Sequence, residues 1–250
     1  NTIAVGADGA GDGQGAAYVY DYDGNLVKTL TAPGAAADDE FGTSVAIFKK
    51  LVVVGSFHGE AAYVFPRSAN YEYAVTLAAA DGEKGFGRAV AVDGDKLVVG
   101  APDDDGKTGA AYVFRATGGW DTTTPDYAHT KLTATDATAG DEFGSSVAVR
   151  GDAVVLGAHG DVDTGGSQLG SAYAFRTTDG GATFEEEIKI TSDDAAAGDE
   201  FGHSVAIDGD TVVVGGAGAA YAYQLSAPAP QPAPAPTPRP TIAGALAGGA

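Results

Sequence analysis

Phe86–Gly100 reads FGRAVAVDGDKLVVG, two apolar runs joined by Asp93 and Gly94. An Asp-Gly pair flanked by such runs predicts a tight antiparallel hairpin, with positive φ at the turn residues to match the strand twist. Ala110–Phe114 (AAYVF) follows after an acidic, Gly-containing loop and predicts a third strand. The second and third strands are apolar at consecutive positions, so both faces of the sheet must be covered. A sheet wetted on one side would alternate polar with apolar residues instead. Sheets standing around an axis, each shielding the next, satisfy that demand.

The same unit recurs. FGTSVAI starts at Phe41, FGSSVAV at Phe143 and FGHSVAI at Phe201, so with Phe86 the starts are 45, 57 and 58 residues apart. Each is followed by a Val-rich run and an aromatic strand carrying Tyr63, Tyr112, Tyr173 or Tyr221. Tyr18, after TIAVG, marks a fifth copy without its FG start. Periods of this length belong to propellers or solenoids. A fourth apolar stretch, as from Tyr71 or Phe184, completes a four-stranded meander. The fold class is therefore all-β: a β-propeller of four-stranded antiparallel blades, about five units, two of them partial. The phenylalanines and glycines at 41–42 (Phe41, Gly42), 86–87 (Phe86, Gly87), 143–144 (Phe143, Gly144) and 201–202 (Phe201, Gly202) are read as the structural repeat.

The repeats occupy residues 1–225. Residues 226–240, SAPAPQPAPAPTPRP from Ser226, predict an extended Pro-rich linker or stalk. The last ten residues, 241–250, are small and apolar, too short to cross a bilayer as a helix, and are left unassigned. The stalk leads to the expectation of a membrane anchor or further domain beyond it, and the Asn at position 1 to that of a fragment or processed chain.

The 250 residues include 38 Gly, which argues against a helical bundle, and are 44% hydrophobic, which argues against disorder. Cysteine is absent, so disulfides and thiolate chemistry are excluded. A formal charge of −20 repels phosphate backbones and anionic lipid, so no nucleic-acid partner is expected.

Candidate chemistry is sparse. Asp103, Asp104 and Asp105, and Asp161 with Asp163, lie on Gly-containing loops and are weak candidates for a calcium site, or simply turn formers. His58, His129, His159 and His203 are read as scattered, one per unit, without a partner at ligand spacing. Arg150-Gly151-Asp152 spells an integrin-ligand tripeptide, but repeat alignment puts Gly151 and Asp152 in the hairpin turn and leaves Arg150 to chance. Asp141-Glu142 and Asp199-Glu200 are read as solvated loops between blades. No catalytic residues and no resident cofactor are assigned.

Thr177-Thr178-Asp179-Gly180-Gly181-Ala182-Thr183-Phe184 resembles the Asp-box of sialidases and other propellers, a structural turn in which Asp179 bonds backbone N–H groups. FG at each unit start, with Gly100-Ala101-Pro102 as the one literal GAP, resembles the FG-GAP repeats of integrin α chain heads. That resemblance implies a propeller, usually seven-bladed, used in recognition at cell surfaces. It departs at the integrin-type calcium loop, because the first two strands here are joined by DGD, RGD or FKK, too short for six to eight oxygen ligands. The expectation is a non-catalytic recognition or adhesion module for a protein or glycan, at the cell surface or outside the cell. The alternatives are a glycan-active hydrolase with an axial pocket and a structural spacer.

Overall fold

The computed structural model describes residues 2–49, 51–72, 75–79, 82, 84–120 and 126–225. The expected linker at 226–240 and the tail at 241–250 lie outside the described residues. Among the described residues, eighteen strands form five antiparallel sheets. Unit one holds β1 (Thr2–Ala7), β2 (Ala16–Asp21) and β3 (Leu26–Leu30). Unit two holds β4 (Phe41–Phe48), β5 (Leu51–Ser56), β6 (Ala61–Pro66) and β7 (Val75–Leu77). Unit three holds β8 (Ala89–Asp93), β9 (Lys96–Ala101), β10 (Ala110–Thr117) and β11 (Asp126–Leu132). Unit four holds β12 (Ser146–Arg150), β13 (Ala153–Ala158), β14 (Ser171–Arg176) and β15 (Glu185–Ile190). Unit five holds β16 (Ser204–Asp208), β17 (Thr211–Gly216) and β18 (Ala219–Gln224). Three sheets are complete meanders of four strands. Unit one begins at the strand equivalent to β5, and unit five runs through the strand equivalent to β6.

Adjacent units meet along an inner edge, where β1 packs on β4, β4 on β8, β8 on β12 and β12 on β16. The result is an arc of propeller blades. The two-sided apolar strands account for it: every residue of β5, β6, β9 and β13 is buried. The Phe of each FG fills the space between blades. Phe143 stands edge-on to Tyr173 at 5.4 Å and to Phe175 at 6.0 Å between ring centres. The same three-ring arrangement recurs around Phe41, Phe86 and Phe201. Each such ring removes about 150–250 Å² from water, which makes these clusters the main cohesive element between sheets.

The Gly of each FG has positive φ, as at Gly144 (88°). Its carbonyl turns onto the glycine of the preceding unit's second strand, so the FG glycine and the GAP-type glycine exist for one another. At Gly6, Gly55, Gly100 and Gly157 an added Cβ would lie 1.9–2.1 Å from the FG carbonyl of the next unit.

The hairpin turns differ from the expectation by one residue. Asp93 pairs with Lys96, so the central residues are Gly94 and Asp95, and only Gly94 has positive φ (64°). A glycine first with one positive φ is the pattern of a II′ turn, whose twist also suits a hairpin. Gly151 and Gly209 repeat it. Lys49 takes the same place in unit two with φ 52°.

The two ends of the arc differ from its middle. Ile3 and Val5 of β1 are each 47% exposed, and Val213 of β17 is 39% exposed, whereas Val53 and Val155 at the inner positions matching Val213 are fully buried. Among the described residues no helix is long and apolar enough to cross a membrane.

Candidate functional site

The segment entering each FG crosses the rim of the arc beside the loop that follows the second strand of the same or preceding unit. In units two, four and five it is closed by an aspartate. Asp141 accepts from the Thr138 N–H at 2.6 Å and from the Thr138 hydroxyl at 2.9 Å, and Asp39 and Asp199 accept from Ala36 and Ala196 N–H groups in the same way. Asp141 is 2% exposed, which corrects the reading of Asp141-Glu142 as solvated: the aspartate is a buried loop staple and only the glutamate reaches the rim.

The glutamate that follows is held in a left-handed backbone. Glu40, Glu142 and Glu200 have φ 54°, 54° and 51°, and in unit three the place is taken by Gly85 at φ 75°. A non-glycine residue there costs on the order of 1–3 kcal/mol, and unit three shows that the fold accepts the unstrained alternative. The strain is borne at the position that presents a carboxylate on the rim.

Around Glu142 the rim carries a connected polar group. His159 Nε2 lies 3.1 Å from Glu142 Oε2, and His159 Nδ1 lies 2.9 Å from the Ser145 hydroxyl. The Lys107 ammonium donates to Glu142 Oε1 at 2.8 Å. His203, in the place after FG, brings its ring within 5.5 Å of His159. In the matching place Arg88 lies over the Phe57 ring at 5.6 Å, and His58 stands 3.3 Å from Glu40. Burial holds the His159 imidazole below the ordinary histidine range, with His203 and Arg88 adding to it, against the pull of Glu142 and Glu200. It is therefore neutral at pH 7 and acts as hydrogen-bond acceptor or donor rather than as a cation. The histidines are thus not all isolated, a pairing hidden from the sequence because 44 residues separate His159 from His203.

The aspartates singled out from the sequence are spread over two loops. Asp104 pairs with Lys131 at 3.0 Å, and Asp103 lies 3.6 Å from Lys107. Asp105 sits at φ 43° within the one-turn helix Asp104–Lys107. Asp161, 7% exposed, meets the Lys189 ammonium at 2.6 Å and also accepts from the Ser171 hydroxyl. Lys189 reaches Asp136 as well, at 2.6 Å, and Asp136 accepts from the Tyr173 hydroxyl at 2.9 Å. A cavity of about 80 Å³ adjoins this network, lined by Asp161, Ser171, Lys189, Thr191 and Ser192 among others. Asp163 closes its own loop by accepting from the Gly165 and Ser167 N–H groups, both at 2.8 Å. No three carboxylate or imidazole groups among the described residues stand close enough to hold a metal ion.

Arg150 is not left to chance. It bridges the flanking hairpin turns, 3.5 Å from Asp93 and 3.4 Å from Asp208, while the Gly151 N–H donates to Asp93 at 2.7 Å. The tripeptide is a tie between three units. Asp179 accepts from the Ala182 and Thr183 N–H groups at 2.9 and 3.0 Å and from the Thr183 hydroxyl at 2.7 Å, the capping geometry its neighbours in sequence imply.

The FG-GAP repeat family profile matches residues 25–65, 72–114, 128–175 and 184–223. Each match runs from the fourth strand of one unit through the third of the next, so the repeating sequence element straddles two sheets. Among solved structures, selenomethionine-substituted virginiamycin B lyase from Staphylococcus aureus has a similar fold. Its TM-score is 0.54 at 12% identity, with 81% of this chain and 56% of that chain covered. The chain thus spans a little over half the length of that protein. No curated protein matches the sequence.

Proposed function

Because the chain belongs to the FG-GAP repeat family, whose propellers are ligand-binding or structural modules, we propose that it is a non-catalytic recognition module acting at the cell surface or outside the cell. Its ligand is a protein or glycan that presents cationic groups to the rim. The observation that carries this reading is the placing of Glu40, Glu142 and Glu200 in strained left-handed backbone at one position of three units, where unit three manages with Gly85. Strain of that kind is retained where a side chain has work to do. The formal charge of −20 adds a long-range field that draws a basic partner toward this surface.

The test is equilibrium binding of the chain to arrays of basic peptides and of amine-bearing and neutral glycans. The chain is expected to bind cationic members, and a Glu40→Gln, Glu142→Gln, Glu200→Gln variant to lose that binding by tenfold or more while melting normally. Binding unchanged in the variant, or binding to no member, overturns the reading, and the second result leaves the structural-spacer role.

One observation favours a different class. Ser145, His159 and Glu142 form a hydroxyl, imidazole and carboxylate chain, the arrangement that activates a nucleophile in hydrolases. Hydrolysis of an activated ester that disappears in Ser145→Ala, with the fold intact, would replace the recognition reading by that one.

A further inference from the structure

We propose that the cavity beside Asp161 is a subsite for a primary ammonium group carried on a carbon framework, as on an amino sugar or a lysine side chain. This rests on the reading of the chain as a module that captures cationic ligands, and adds to the rim glutamates a pocket in which one such group is seated. The cavity holds about 80 Å³, and all of its lining residues lie between Asp161 and Ala195, on the loop between β13 and β14 and on the connection from β15 toward β16. One water needs only about 10–15 Å³, whereas a pocket for a whole drug-sized ligand runs to about 300–1,000 Å³. The volume suits one terminal group of a larger ligand.

The hydrogen-bond inventory of the walls says what that group must be. The Asp161 side chain is only 10% exposed, and its hydrogen bonds all fall on Oδ2: from the Ser171 hydroxyl, from the Tyr173 hydroxyl at 3.4 Å and from the Lys189 ammonium at 2.6 Å. No donor among the described residues is hydrogen-bonded to Oδ1. A buried carboxylate oxygen without a donor is costly, so a donor is what the cavity calls for. The protons around it are already spent. Lys189 is held between Asp161 and Asp136, both at 2.6 Å, and lies over the Tyr173 ring. The Ser171 hydroxyl gives its proton to Asp161, and the Ser192 hydroxyl gives its own to Asp194. Ser171, Ser192 and Asp161 Oδ1 have only lone pairs left to offer, so the entering group must bring the protons, and an ammonium brings three.

Charge selects the ammonium over a hydroxyl. Asp136 and Asp161 stand against the single cation of Lys189, and Asp163, also on the cavity wall, adds to the negative excess. Val162, 46% exposed, and Leu169 supply aliphatic wall for the carbon framework behind the nitrogen. These walls are held before a ligand arrives. The Leu169 and Gly170 N–H groups donate to the Asp161 carbonyl at 3.1 and 3.0 Å, and Asp163 ties the loop tip through Gly165 and Ser167. Little ordering is left for binding to supply.

The test is titration of the isotopically labelled full chain at constant ionic strength and mildly acid pH, where both amines used carry their proton. The probes are glucosamine, N-acetylglucosamine and N-acetyl-lysine amide, read at the Gly170 and Ser171 amide signals. Saturable shifts are expected with at least one amine, and N-acetylglucosamine, whose nitrogen is uncharged, is expected to bind at least tenfold more weakly than that amine. Tighter saturation by glucosamine marks an amino sugar as the source of the group, and by the lysine derivative a protein. Asp161→Asn is expected to weaken binding tenfold or more. Because that change also touches the Lys189 network, Ala195→Leu, which fills the cavity from a part-exposed wall position, is the second variant and is expected to abolish the shifts with melting unchanged. No saturable shift with either amine, N-acetylglucosamine binding as tightly as the amines, or amine binding undiminished in both variants overturns the proposal. A silent pocket beside glutamate-dependent capture of basic ligands removes the subsite alone. Saturable shifts at Gly170 and Ser171, in a chain whose ligand capture ignores the glutamate substitutions, keep the subsite and remove the rim reading.

Discussion

The carbonyl oxygen of Gly144 lies where a side chain on Gly100 would have to be, 1.9 Å from the position of an added Cβ. Both groups are backbone, Gly100 on β9 and Gly144 in the tight turn that leads into β12, so neither can swing aside. Gly100→Ala is therefore expected to force units three and four apart and to destabilise by about 1–3 kcal/mol or more, read as a lower urea midpoint. Gly94→Ala, in open space at φ 64°, carries only the left-handed backbone cost of roughly 1 kcal/mol.

Tyr112 and Tyr18 occupy the same register position in units three and one. Tyr112 is 2% exposed and stands edge-on to Phe86, with ring centres 5.5 Å apart, whereas Tyr18, at the end of the arc, is only half-buried. Tyr112→Ala is expected to cost about 3–5 kcal/mol and Tyr18→Ala less than about 1 kcal/mol in dilute solution. Equal losses in denaturant titrations would mean that the end face is covered in the monomer.

What the sequence made legible was whatever repeats along it. Two-sided apolar strands and recurring FG were enough to demand sheets stacked around an axis, and Phe143 against Tyr173 is that demand met in atoms. What stayed hidden depends on contacts between units. The partnership of Gly100 with Gly144 cannot be seen from either glycine alone, and Arg150 acquires its meaning only when Asp93 and Asp208 flank it in space. Asp141 was misjudged because its charge is written in the chain while its burial comes from the Thr138 turn. The hairpin was displaced by one because DGD contains two overlapping two-residue turns, and only the pairing of Asp93 with Lys96 selects between them.

His159 supplies a pH dependence. Its folded pKa lies below the unfolded value of 6.5, mainly through burial, so the folded state binds the proton less readily than the unfolded one. The stability this group contributes is full above 6.5 and falls as pH drops through 6.5 toward the lowered folded pKa. His159→Gln is expected to flatten the melting temperature profile over that window. A profile unchanged by the substitution would show that the imidazole is solvated.

Asp179 acts in the opposite range. Hydrogen bonds from the Thr183 backbone and hydroxyl, joined by Thr177 and the Ala182 N–H, hold its carboxyl far below the usual carboxylate range. A depressed folded pKa gives stability that is present above the unfolded value near 3.8 and lost only as pH falls through the folded one. The Ala182 and Thr183 amides are therefore expected to stay protected from exchange, relative to a free peptide at the same pH, down to pH 3, and to lose that protection in Asp179→Ala at every pH. Slow exchange in the variant would mean that packing of the hairpin on unit three, through Arg115 to the Gly180 carbonyl, suffices without the cap.

Glu200 separates stability from function. Its φ of 51° strains a residue with a Cβ, and the unit-three counterpart Gly85 adopts φ 75° without that penalty. Relief of the strain is on the order of 1–3 kcal/mol, offset in part by the extra freedom of glycine in the unfolded chain, about 0.5–1 kcal/mol. Glu200→Gly is thus expected to stabilise by about 1 kcal/mol, raising the denaturation midpoint, while removing one carboxylate from the rim and weakening capture of cationic ligands. Stabilisation with binding intact would detach the strain from recognition. A loss of stability would show that the Glu200 side chain holds the loop, and the three glutamates would then be read as structural.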